Sequence, residues 1–290
     1  MPIARLDDIG LAYEEAGSGF PLVWIHEFGG SQESWEQQVH FFARRYRVIT
    51  YNARGYPPSD VPQDPDAYSE DHAVQDLHGL LRHLGIDSAY IGGLSMGGTT
   101  ALHFGMKHPE MAKGLIVAPA GTGATDPVRF RAQCEALADK IERGGTAALR
   151  EYATGPTRVR LQRKDPTGWQ EFADLLTSHS PLGSALTMRG VQARRRPILE
   201  YGEELRRMQI PTLIMAGDED EPCIEPAIFL KRHLSHAGLV MFPQSGHAIN
   251  LEEPDLFNRA VLDFLTAIEA GKWAPREEGS GAGFLAERDP

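Results

Sequence analysis

Cysteine is scarce in this chain. Cys134 and Cys223 are the only two among 290 residues, and they lie far apart. With no C-x-x-C pair and no clustered histidines, neither a disulfide framework nor a structural zinc site is expected, and both thiols read as reduced. Long apolar runs are also missing, and none approaches the roughly 18 residues that span a bilayer. Residues 1–8 lack the apolar stretch of a secretory leader. Basic residues are outnumbered, 29 against 40 acidic, for a net charge of −11. That balance argues against broad nucleic-acid binding, which rests on Lys and Arg neutralising phosphates. The expectation is a cytoplasmic protein with no membrane and no nucleic-acid partner.

What is present is ordinary globular composition, 41% hydrophobic and 24% charged, enough for a sizeable core. Short apolar runs bounded by turn residues fall at 10–16, 21–26, 47–52, 89–94, 114–119, 211–217 and 238–243. Several are continuous rather than alternating, as strands buried on both faces require. Between them lie helical patterns at 69–84, 96–108, 225–234 and 254–270. Leu77, Leu80, Leu81 and Leu84 mark one apolar helix face. This alternation predicts an α/β fold: a mostly parallel central sheet with flanking helices. Residues 122–207 break the rhythm with helix-like segments only. They are too many for a structureless loop and read as a helical insertion into a core formed by residues 1–121 and 208–270. Residues 271–290 are rich in Gly, Pro and charge and read as a mobile tail.

The strongest local feature is Gly92-Gly93-Leu94-Ser95-Met96-Gly97-Gly98, between a strand run and a helix. It contains G-x-S-x-G, in which small residues flank a serine held in a strained turn. A glycine-rich turn that merely packs a helix on a sheet is the plainer reading. A phosphate loop is disfavoured, because neither G-K-[ST] nor G-x-G-x-x-G is present. A serine hydroxyl becomes a nucleophile only when a base removes its proton and an acid orients that base. Of eleven histidines, His247 follows the last strand run and sits on a loop at the same sheet edge as Ser95. The acid is sought after the run 211–217, where Asp218, Glu219, Asp220 and Glu221 are consecutive. Spacing favours Asp220, with Asp218 as the alternative.

These motifs together resemble the α/β-hydrolase family over about residues 10–265. Leu22-Val23-Trp24-Ile25-His26-Glu27-Phe28-Gly29-Gly30 resembles the family's strand and oxyanion loop. Asn52-Ala53-Arg54-Gly55-Tyr56-Pro57-Pro58-Ser59 resembles its D-x-R-G-x-G-x-S turn. Ser245-Gly246-His247 with Leu251-Glu252-Glu253-Pro254 resembles its histidine loop and last helix. The order Ser95, Asp220, His247 is the family's order, and the insertion stands where the family carries a cap. By resemblance, the backbone N–H groups of Phe28 and Met96 form the oxyanion hole. Glu27 departs from the usual glycine. It either pairs in the interior, with Arg54 the candidate, or turns to solvent. Asn52 and Pro57 replace the common Asp and Gly and are expected to alter a loop brace rather than the chemistry.

The resemblance implies a serine hydrolase with no metal or organic cofactor, acting on a small-molecule carboxylic ester or lactone, and capable of forming a homodimer. Meta-cleavage carbon–carbon hydrolase or perhydrolase activity is the rival within enzymes. A ligand receptor on a hydrolase scaffold is the rival outside them. Trp169, Phe172, Leu175, Leu176, Leu182, Leu186 and Met188 either line a pocket or form the cap's own core, and the second is favoured. Residues 122–207 hold 15 Lys and Arg against 11 Asp and Glu, leaving 14 against 29 elsewhere. A basic lid over an acidic core suggests a substrate carrying a carboxylate.

Overall fold

The computed structural model describes residues 1–276. Its centre is one eight-stranded sheet of β1 (Ile3–Arg5), β2 (Gly10–Ala16), β3 (Phe20–Ile25), β4 (Tyr46–Tyr51), β5 (Ala89–Leu94), β6 (Ala112–Ala118), β7 (Thr212–Gly217) and β8 (Ala237–Phe242). The strand order is β1-β2-β4-β3-β5-β6-β7-β8. Only the β1–β2 and β2–β4 pairings are antiparallel; the other five are parallel. Every residue of β5 and β7 is buried, which is why their sequences read as unbroken apolar runs.

Helices α1 (Glu36–Phe42), α2 (Glu70–His83) and α3 (Met96–Lys107) follow β3, β4 and β5. Ser69 caps α2, its hydroxyl accepting the His72 N–H at 3.1 Å. Leu77, Leu80 and Leu81 then pack with Leu102 and Phe104 of α3 on one face of the sheet. On the opposite face Trp24 stacks on Trp35 with ring centroids 4.6 Å apart. Gly92 makes room for that pair, since a Cβ there would lie 2.3 Å from the Trp24 ring.

Between β6 and β7 the described chain is entirely helical apart from turns. It contains α4 (Pro127–Gly144), α5 (Leu149–Ala153), α6 (Val159–Lys164), α7 (Pro166–Ser178), α8 (Pro181–Thr187) and α9 (Gly202–Arg207). Asp126, Asp165 and Ser180 cap three of these helices, each followed by a proline in the first turn, where its missing N–H costs nothing. Phe172, Leu176, Leu186 and Met188 are buried together with Cys134 and Ile141, whereas Leu182 is exposed. This cluster does not end at the insertion, because Phe28, Met96 and Ala248 of the core belong to it. The chain closes with α10 (Glu221–His233), α11 (Ile249–Glu252) and α12 (Pro254–Glu269).

Two elements were not anticipated. β1 buries only Ala4, too short a signal to read. α1 falls between the runs 21–26 and 47–52, where no helical pattern was read. The segment expected to be mobile from residue 271 is anchored at its start. Trp273 donates its indole N–H to the His236 carbonyl at 2.7 Å and packs edge-on against Phe264. Phe284 and Leu285 lie outside the described residues.

Candidate active site

Ser95 sits between β5 and α3 with φ 58° and ψ −111°, a left-handed conformation that a non-glycine residue adopts only when its surroundings enforce it. The enforcement is steric. A Cβ on Gly93 would lie 2.2 Å from the Gly97 carbonyl oxygen, and one on Gly97 would lie 2.1 Å from that of Ile25. Both flanking positions therefore need glycine, and the turn can lie directly against the end of β3. Ser95 is buried apart from 5% of its surface. Among the described residues, the Met96 and Phe28 N–H groups donate to no protein acceptor.

His247 and Asp220 arrive from the neighbouring loops after β8 and β7, on the same carboxyl edge of the sheet. The Asp220 carboxylate lies 2.6 Å from His247 Nδ1, and both residues are buried. Burial works to raise the Asp220 pKa, but His247 beside it holds the carboxyl below its ordinary value. Asp218 and Glu219 are exposed. Asp218 accepts the Ser245 N–H at 3.2 Å, and Glu219 pairs with Arg160 on the surface. Of the acids after β7, Asp220 alone meets the histidine. Met96 and Ala248, the residues after Ser95 and His247, share one buried cluster with Phe28.

Cys223 completes a tight group at this site. Its Sγ lies 3.9 Å from His247 Nδ1 and 3.3 Å from Thr122 Oγ1. The donor atoms of Asp220, Cys223 and His247 lie within 4.8 Å of one another. Burial and the Asp220 charge push the thiol well above its usual pKa. A protonated thiol beside a carboxylate already bonded to imidazole suits a hydrogen-bonded cluster better than a metal centre.

The oxyanion-loop candidate is set by His26. The Ala53 N–H donates to His26 Nε2 at 3.0 Å, so Nε2 carries no proton. Nδ1 therefore bears it and donates to the Glu27 carbonyl at 2.7 Å. Because the peptide unit is planar and trans, a Glu27 C=O aimed at His26 turns the Phe28 N–H of the same unit the opposite way. Burial pushes the His26 pKa down to about 4, which keeps the ring neutral and this arrangement intact.

Glu27 does not pair with Arg54. Arg54 is bidentate to Asp76 of α2, at 2.7 Å for each bond, and also reaches Asp8. Glu27 is buried and receives both arms of the equally buried Arg158, from the insertion. The two residues are separated by 131 positions, and no sequence signal links them. Asn52 braces the loops, accepting the Gln32 N–H at 2.9 Å and donating to the Pro57 carbonyl at 2.7 Å. An aspartate could not make the second bond.

A sequence model of the alpha/beta hydrolase fold matches residues 21–254. The chain belongs to the α/β-hydrolase family. Among curated proteins it is similar to 3-oxoadipate enol-lactonase 2 of Acinetobacter baylyi, 30% identical over 88% of this chain and 92% of that one. It is also similar to 2-hydroxy-6-oxo-6-phenylhexa-2,4-dienoate hydrolase of Comamonas testosteroni, 28% identical over 90% and 92%. Among solved structures, a thermophilic esterase from Thermogutta terrifontis superposes with a TM-score of 0.82 at 25% identity, covering 92% of this chain and 98% of that one. Lactonase, esterase and carbon–carbon hydrolase relatives together support a hydrolase. No helix among the described residues is long and apolar enough to cross a membrane.

The neutral His26 has a measurable signature. Unfolded, it titrates near 6.5; folded, near 4. As pH falls from about 6.5 through 4 the unfolded chain takes up this proton first, and stability is lost by roughly 3 kcal/mol from this group. Urea unfolding from pH 7 to 4 should show a shallower decline in His26→Asn than in the parent. Identical slopes would contradict the assignment.

Proposed function

We propose that this α/β-hydrolase is a serine hydrolase acting on a carboxylic ester or lactone of a small molecule. Ser95 is the nucleophile, and its Oγ attacks the substrate carbonyl as its proton passes to His247 Nε2. Asp220, bonded to Nδ1, holds the imidazole in the tautomer that accepts that proton and balances the imidazolium charge. The Phe28 and Met96 N–H groups donate to the developing oxyanion, a contribution of about 3 kcal/mol per donor in such sites. Collapse of the tetrahedral species releases the alcohol, which takes the proton from His247. Water, deprotonated by His247, then attacks the acyl-enzyme, and His247 returns that proton to Ser95 Oγ as the carboxylic acid leaves. The observation that carries this reading is the forced left-handed turn at Ser95, on the same sheet edge as the buried Asp220–His247 pair. Residues 122–207, as a cap, would roof this edge.

The enol-lactonase and dienoate hydrolase relatives are named for substrates or products that are carboxylic acids. One cap cation fits such a group. Several others are neutralised by acids: Arg150 by Asp174, Arg160 by Glu219, Arg196 by Glu204, and Arg189 by three carboxylates. Arg195 has no carboxylate within 4 Å among the described residues. It donates to Gln192 Oε1 at 2.7 Å and to the Thr122 carbonyl, and lies over the Phe130 ring at 4.9 Å. Arg195 is half-buried, and burial lowers its pKa while the Glu70 charge works the other way. Thr122 in turn touches Cys223, beside His247. An acidic substrate would supply a directly bonded counter-charge. The dienoate hydrolase relative keeps carbon–carbon cleavage by the same residues as the second reading.

A fluorophosphonate probe should label the intact protein, and Ser95→Ala should abolish both labelling and ester turnover, by about 10³-fold or more, without unfolding. Retained turnover in a folded Ser95→Ala would refute the nucleophile. A panel of p-nitrophenyl esters, lactones and dienones separates the ester and carbon–carbon readings by relative kcat/KM. Arg195→Met should raise KM for an acidic ester tenfold or more and leave a neutral ester of matched size within about twofold. Equal effects on both would remove Arg195 as the carboxylate partner.

A further inference from the structure

One short stretch of the insertion, residues 157–164, touches three of the four segments that carry the proposed chemistry, all but the turn at Ser95. The Thr157 carbonyl accepts the His247 N–H at 2.8 Å. Gly246 lies against the same carbonyl, where a Cβ would approach to 2.2 Å. Arg158 binds Glu27 through both nitrogens of its fork, and one of them also reaches the Tyr152 hydroxyl at 2.7 Å. Its guanidinium lies over the Tyr152 ring at 4.6 Å and the Phe172 ring at 5.0 Å. Arg160 pairs with Glu219, next to Asp220. Lys164 reaches Ser245 Oγ at 3.1 Å, Glu253 at 2.5 Å and Glu252 at 3.6 Å. Glu252 itself accepts the Gly246 N–H at 2.9 Å.

We propose that residues 157–164 form a clamp through which the position of the cap sets the geometry of the catalytic loops, with Arg158 as the positioning residue for the oxyanion loop. The inference rests on the serine-hydrolase reading for its meaning, but not for its geometry. Glu27 is held at both ends: His26 and the Gly30 N–H (3.0 Å) bind its carbonyl, and Arg158 binds its carboxylate. The Phe28 N–H belongs to the same peptide unit as that anchored carbonyl. A bidentate guanidinium fixes both oxygens of a carboxylate, whereas a lysine ammonium supplies charge without that fork. Arg158 thus acts through Glu27, touching neither the serine nor the histidine side chain. Displacing the cap would release the oxyanion loop and the histidine loop together.

The test compares three variants with the parent by amide hydrogen exchange, by fluorophosphonate labelling rate and by kcat and KM on p-nitrophenyl acetate. Arg158→Lys keeps the buried charge balanced and is expected to fold. Exchange should rise at least tenfold in residues 27–30 and also in 245–248, and labelling should slow at least tenfold with KM within about twofold. Glu27→Gln with Arg158→Gln removes both charges at once. If the pair only supports folding, this double variant regains parental kcat; the clamp predicts that kcat stays low. Lys164→Met removes the contacts to Ser245, Glu252 and Glu253 and should loosen 245–248 alone. Parental exchange in both loops of a folded Arg158→Lys, or in 245–248 of Lys164→Met, would overturn the clamp. A parent chain that is neither labelled nor active on any ester would instead sink the serine-hydrolase reading, while the exchange data would still decide the clamp.

Discussion

The close approach of the turn around Ser95 to the end of β3 is the constraint on which the site depends. With Gly97 packed on the Ile25 carbonyl and Gly93 on Gly97, the chain has no room to relax φ at residue 95 toward ordinary values. The strain is held by the parallel β3–β5 pairing, which extends to Ile25 and Gly93. The same contact brings the oxyanion loop, which begins at His26, beside the first turn of α3. Phe28 and Met96 are thereby brought into one buried cluster by construction of the sheet rather than by loop flexibility.

A second level of organisation comes from the helical insertion. Its apolar interior merges with Phe28, Met96 and Ala248, so the insertion and the carboxyl edge of the sheet share one packed cluster. Its polar contacts are of two kinds. Arg160–Glu219 and Arg150–Asp174 are exposed and contribute little to stability. Arg158–Glu27 is fully enclosed, and removing one partner would leave a buried charge unpaired. A buried pair of this kind is weak evidence for stability but good evidence for a defined geometry, and it lies at the residue that departs from the family's oxyanion loop.

Much of the architecture was legible because it rests on local pattern. The buried runs of β5 and β7, the Ser69 cap and the glycines around Ser95 are each enforced within a few residues. Asp220 and His247 were reachable because each follows a recognisable strand. Burial of Asp220 and exposure of Asp218 follow from how the loop enters α10, which spacing could only favour. The partner of Glu27 was misread. Arg54 was close in sequence, but it is committed to Asp76, and the true partner comes from the other side of β6. β1 was invisible because one buried alanine carries no periodicity. The anchoring of Trp273 on His236 depends on a long-range contact that composition cannot report. The charge division was informative but too coarse, because pairing with acids silences many of the insertion's cations, whereas Arg195 has no carboxylate within 4 Å among the described residues and only Glu70 nearby.

As the proposed nucleophile, Ser95, held in this turn, becomes covalently acylated during turnover. Rapid quenching of the reaction with p-nitrophenyl acetate, followed by intact-mass measurement and peptide mapping, tests it directly. An adduct of one acetyl group on the peptide containing Ser95 is expected, formed during the burst of p-nitrophenol and absent in Ser95→Ala. Steady ester turnover with Ser95 unmodified at every quench time, or an adduct on another residue, would contradict it.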